Sequence, residues 1–229
     1  MAIVPQNSDA FMREVDEELR RSRMTGFWRR YGIAVAIAVV LALVALGGLL
    51  WWNHHRSVQA GVDSERMIAA LDAADRNDVG TARPALNALA ESPRDGVAAV
   101  ARLAAADLAW SSGDKAAALA AYTAAAADDD MPQPYREAAL IRQTLIDFDQ
   151  VPPAAIIARL KPLAVAGGPW FGSAGELTGI AHVKAGQVAQ AGPIFAAIAA
   201  DPKVPDSIRR RAVQMAGALG VDASMGEGN

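Results

Sequence analysis

The side chains in this sequence that could do chemistry are few. The histidines are His54, His55 and His182, and there is no cysteine. His54 and His55 are consecutive, so on a helix they point about 100° apart and chelate one ion poorly. His182 stands where a helix needs a large packing residue. Asp128, Asp129 and Asp130 could attract a divalent cation, but the run lacks the alternating spacing and later glutamate of a calcium loop and reads as a solvated turn. Gly167–Gly168–Pro169, with Gly172 and Gly175 after it, has no phosphate-loop pattern and reads as a link. No Ser/His/Asp set or carboxylate pair emerges, and without cysteine there is no thiolate metal site, disulfide or thiol nucleophile. The expectation is a protein that is not an enzyme, with no cofactor, no metal and no small-molecule substrate. A formal charge of −3 and a pI near 5.6 also lack the positive field that nucleic acid requires, so no nucleic-acid partner is expected.

The elements that must position any site are helices. Of 229 residues, 52% are hydrophobic, 6% aromatic and 21% charged, and 52 are alanine, which loses no side-chain entropy on entering a helix. The fold class expected is all-α. The apolar excess is uneven. Ile33 to Trp52 is a nearly unbroken apolar run, and 20 residues at about 1.5 Å rise span about 30 Å, the hydrocarbon thickness of a bilayer. Trp28 and Tyr31 before the run, with Trp51 and Trp52 after it, suit the two headgroup levels. A cleaved signal peptide fits poorly, because the preceding segment is long and carries Asp9, Glu14, Asp16, Glu17 and Glu18. Arg20, Arg21, Arg23, Arg29 and Arg30 precede the run while Arg56 and Arg66 follow it, which orients the N-terminus to the cytoplasm. Within it Ala34, Ala38, Ala42, Ala45 and Gly48 share one face and would let another transmembrane helix approach closely.

Ahead of the run, SDAFMREVDEELRRSRM reads as a short amphipathic helix. Ser8 or Asp9 can cap it, Phe11, Val15 and Leu19 share a face, and Asp16→Arg20 and Glu17→Arg21 are i,i+4 pairs.

Beyond the run a period is present. Turns at Asn77, Gly113, Asp149 and Gly186 are 36, 36 and 37 residues apart. After three of them, apolar residues stand at offsets of five, nine and twelve: Ala82, Leu86 and Leu89; Ala118, Tyr122 and Ala125; Ala191, Phe195 and Ile198. Ala154 stands at offset five from Asp149. A helix, a tight turn and a second helix with small and aromatic residues at fixed steps resemble the tetratricopeptide repeat. Ala106, Ala118, Ala125, Gly179 and Ala191 would let helix backbones close. Pro93, Pro132 and Pro202 stop the second helices, Pro84 can sit in a first turn, and Pro162 and Pro193 should kink or shorten theirs. Residues 205–219 form a terminal helix whose Arg209, Arg210 and Arg211 supply a polar capping face.

The order of parts divides the chain into a cytoplasmic segment (1–30), a transmembrane helix (31–53), a periplasmic tetratricopeptide-like solenoid (54–220) and a disordered tail (221–229). With FWRRYG before the span, WWNHHR after it and LAAADLAWSSGDKAAALAAY in the second repeat, it resembles the ancillary SecYEG translocon subunit family, single-span proteins of the bacterial inner membrane. That resemblance implies protein partners at the lipid bilayer: translocon subunits, periplasmic chaperones or exported chains. A structural adaptor holding one fixed partner in envelope assembly, in cytochrome maturation or cell division, is the alternative. In either case the first helix of each pair should line the inner face, bringing Asp107, Trp110, Arg136, Gln143, Asp147, Glu176 and Lys184 together as a partner-binding groove. Trp110 is its expected anchor.

Overall fold

The computed structural model describes residues 7–223, and the side chains of 32–34, 36–55 and 57–223. All regular structure among these residues is helical: α1 (Asn7–Asp75), α2 (Val79–Ala90), α3 (Asp95–Ser111), α4 (Lys115–Ala127), α5 (Gln133–Asp147), α6 (Pro153–Leu160), α7 (Phe171–Lys184), α8 (Val188–Ala200) and α9 (Asp206–Ala218). The chain divides into two compact units, Met1–Val62 and Asp63–Asn229.

The first unit is the greater part of α1. From Gly32 onward this helix is long and apolar enough to cross a membrane, with a mean hydropathy of 2.9 over its most apolar stretch and none of that stretch buried by protein. Length and composition make it compatible with a single span. Ala34, Ala38, Ala42, Ala45 and Gly48 are all exposed on it. The His55 ring stacks on Trp51, with centroids 5.8 Å apart. The expected cap at Ser8 or Asp9, the shared face of Phe11, Val15 and Leu19 and the two i,i+4 pairs lie outside the described side chains.

The second unit is a series of helical hairpins. In the first, second and fourth hairpins the first helix is followed by a residue of positive φ: Asn77 (58°), Gly113 (88°) and Gly186 (74°). The residue after it reaches back five positions, as Asp78 N–H does to Ala73 O, Asp114 to Ala109 O and Gln187 to His182 O. These are Schellman closures, which satisfy helix-end carbonyls and favour glycine or asparagine at the left-handed position. Asp78 and Asp114 then cap the next helix, accepting from Thr81 N–H at 3.2 Å and Ala117 N–H at 3.0 Å. Hydrogen bonding from Thr81 holds the exposed Asp78 carboxyl below its usual range. A Cβ at Gly113 would touch nothing within 4 Å, so the cost of Gly113→Ala is purely conformational, about 1 kcal/mol. Thermal melts should show that loss, with Gly113→Asn losing less, since Asn77 already occupies the same place in the first hairpin.

The third hairpin departs from the expected register. No residue between Asp147 and Pro153 takes a positive φ, and Pro152 and Pro153 open α6 instead. The chain therefore uses a longer turn. Ala154 is exposed, whereas Ile156, Leu160 and Leu163 are buried. These stand five, nine and twelve residues after Val151, so the anchors are 77, 113, 151 and 186, with spacings of 36, 38 and 35. The shifted anchor is coherent: seven residues before it lie Ala70, Ala106, Thr144 and Gly179, every one buried.

The prolines sort by the same register. Pro162 falls just past α6, which is only 8 residues long, as expected. Pro84 is not in a first turn: it lies seven residues after its anchor, the position of Pro193, and both sit inside helices that run on through them. Of the three arginines expected to form the capping face, only Arg210 simply faces outward; Arg209 Nη2 donates to Asp206 at 2.6 Å and Arg211 reaches Glu176. The chain also stays packed into the expected tail, with Val221 and Ala223 against the last cluster around Phe195; residues 224–229 lie outside the described ones.

Candidate functional site

Charge is divided unequally between the two kinds of helix. The second helices, α2, α4, α6 and α8, carry Arg83, Lys115 and Arg159 and no acid, whereas α3, α5, α7 and α9 carry charges of both signs. The first helices also carry most large apolar side chains that the second unit leaves exposed. Ile68 stands nine residues before its anchor and is 60% exposed, Leu71 and Leu145 stand six before theirs, and Trp110 stands three before. Leu145 is 55% exposed and Trp110 40%. Isolated exposed leucines are ordinary, but four such side chains gathered on the first helices, two of them at the same repeat position, mark a face.

On that face α5, α7 and α9 enclose a groove of about 510 Å³. Ile141, Leu145, Trp170 and Leu177 supply apolar walls, and Arg142, Glu176 and Arg211 supply charge. Trp170 is held by its indole N–H, which donates to Glu137 Oε2 at 2.7 Å, while Gln133 donates to the other oxygen at 2.7 Å. Arg211 donates through Nε and Nη2 to both oxygens of Glu176, each at 2.7 Å. Arg142 is 57% exposed, with its nearest acid, Asp107, 3.8 Å away. Asp107 accepts from the Tyr122 hydroxyl at 2.5 Å. Burial, reinforced by that bond, pushes the Tyr122 phenol well above its ordinary value of 10.0.

The seven expected groove residues do not come together as one site. Glu176 lines the groove and Asp107 stands behind Arg142. Trp110 lies at the end of α3, with Lys115 Nζ 5.3 Å from its ring centroid. Arg136 is drawn into the turn after α4, donating to Asp129 at 2.7 Å, and Asp128 likewise accepts from Arg102 at 2.8 Å. Two of the three acids in the run are thus paired with arginines. Lys184 pairs with Asp149 at 3.0 Å and lies 5.4 Å from the Phe148 ring centroid. Gln143 is half-buried. Asp147 is buried and accepts two bonds from Arg159, at 2.8 and 2.9 Å. His182 is half-buried, its Nδ1 lying 2.7 Å from Gln187 Oε1 across the turn. Among the described residues, no group of three or more His, Cys, Asp or Glu gathers as a metal would require.

Missing from the expectation are Arg142, Leu145, Trp170 and Arg211. Measured from Val151, Leu145 is the counterpart of Asp107, a correspondence that measuring from Asp149 assigns to Gln143.

Helical hairpins stacked in one direction, with a variable face on their first helices, define a repeat scaffold. The chain matches the model of the tetratricopeptide repeat-like domain over residues 25–216, and it belongs to that family. No curated protein and no solved structure matched it. Tetratricopeptide-like domains are in general noncatalytic scaffolds, and the fold suggests one that binds protein.

Proposed function

We propose that this protein is a membrane-anchored scaffold for protein partners, an accessory subunit of the Sec translocon that works with periplasmic chaperones on exported chains. The observation that carries the binding role is the recurrence of Ile68, Leu71, Trp110 and Leu145 as exposed side chains on the first helices. Anchoring is supported by the exposed apolar run from Ile33 to Trp52, and orientation by the arginines that precede it. On this reading the protein crosses the bacterial inner membrane once, with a cytoplasmic N-terminus and a periplasmic repeat domain. Residues 31–53 span the bilayer, and Ala34, Ala38, Ala42, Ala45 and Gly48 offer a close-packing face to a neighbouring helix. The translocon assignment rests on the order of FWRRYG, span, WWNHHR and repeats.

A photo-crosslinking residue at Leu145 in the full-length protein, in membranes, tests the partner. Recovery of translocon subunits or exported chains is expected. A single stable adduct from another envelope assembly, with no translocon component, would replace this function with that of a fixed adaptor.

A further inference from the structure

We propose that the groove between α5 and α7 takes an extended peptide segment in which a large aliphatic or aromatic side chain lies within three residues of an internal aspartate or glutamate; this rests on the protein-binding role and names its ligand. The apolar walls of Ile141, Leu145, Trp170 and Leu177 enclose about 510 Å³, room for one large side chain. The polar groups around it are unequally satisfied. Both oxygens of Glu176 are taken by Arg211, and both oxygens of Glu137 are taken by Trp170 and Gln133. Asp107, outside the lining and half-exposed, accepts from Tyr122 through Oδ1. Glu176 and Glu137 thus have donors on both oxygens, while the Arg142 guanidinium has five N–H donors and one acid at 3.8 Å. What the groove lacks is acceptors, and a carboxylate meets a guanidinium through short, charge-assisted bonds. A basic segment would find in the lining only Glu176, whose two oxygens Arg211 already holds.

The test is an array of N-acetylated, C-amidated heptapeptides probed with the full-length protein in detergent micelles. The central residue is leucine, phenylalanine or serine, and its neighbour aspartate, asparagine or lysine. Leucine and phenylalanine peptides should be retained about tenfold above serine ones. Aspartate should gain about threefold over asparagine at low salt, lysine should lose, and high salt should erase the difference. Arg142→Gln should abolish the aspartate preference and leave the apolar one, whereas Leu145→Ser should weaken retention of every peptide. Both side chains are exposed, so neither change threatens the fold. An aspartate preference that is absent, or that survives Arg142→Gln, overturns the proposal, as does an array that retains nothing. A peptide bound only when its C-terminus is freed overturns it too, moving the carboxylate to a chain end. If Leu145 still crosslinks to partners in membranes after any of these failures, the scaffold role stands and only the ligand is wrong.

Discussion

Phe195→Ala is expected to be among the most destabilising single changes in the repeat domain, lowering stability by about 3–5 kcal/mol. The Phe195 ring is fully buried at the crossing of α7 and α8. Its position is enforced from the other side by Gly179, where a Cβ would lie 2.7 Å from Phe195 Cζ and 2.9 Å from Cε2. Removing the ring leaves a cavity that Gly179 has no side chain to fill. In a unit of this size the loss corresponds to roughly 6–20 °C in melting temperature, measurable by circular dichroism. Gly179→Ala approaches the same contact from the opposite direction and should cost about 1–3 kcal/mol by overpacking. The two changes share one contact, so they should not add: in Gly179→Ala/Phe195→Ala the smaller side chain relieves the clash. A double mutant with the full sum of the single losses would show that the contact does not limit the crossing.

How far the structure was legible depended on whether the turns carried a conformational signature. Asn77, Gly113 and Gly186 were readable because few residues occupy the left-handed region without strain, and the offsets of five, nine and twelve followed from them. The third turn has no such residue. Counting 36 onward from Gly113 lands on Asp149, two residues short of the anchor that burial of Ile156, Leu160 and Leu163 reveals. That slip assigned the groove position to Gln143 and hid Leu145 and, beside it, Arg142. Trp170 and Arg211 escaped for another reason. One ends the link between the third and fourth hairpins and the other belongs to the terminal helix, so no repeat spacing reaches either. Glu176 was found, but its bidentate partner could come only from the fold.

Asp147→Ala is the other large effect, expected at about 3–5 kcal/mol because it strands the Arg159 charge in a partly buried site. The Asp147 side chain is only 9% exposed, and Arg159 bonds both its oxygens and also approaches Thr144 Oγ1 at 3.3 Å. The corrected register explains what this pair replaces. Asp147 stands four residues before its anchor and Arg159 eight after; the same places hold Ala73 and Ala85 in the first hairpin, Ala109 and Ala121 in the second, and His182 and Ile194 in the fourth. An ion pair therefore occupies a slot that is apolar in the first two hairpins, and an apolar pair should serve there as well. Asp147→Leu/Arg159→Met should regain most of the stability lost in Asp147→Ala, a rescue that no independent sum of two losses would give. The same series separates structure from binding. If Asp147 acted in a partner groove, as its charge and helix first indicated, the rescued double mutant would be stable yet fail to crosslink at Leu145. The buried geometry leads to the opposite expectation, restored melting together with undiminished crosslinking; a stable double mutant that captures no partner would return Asp147 to the binding face.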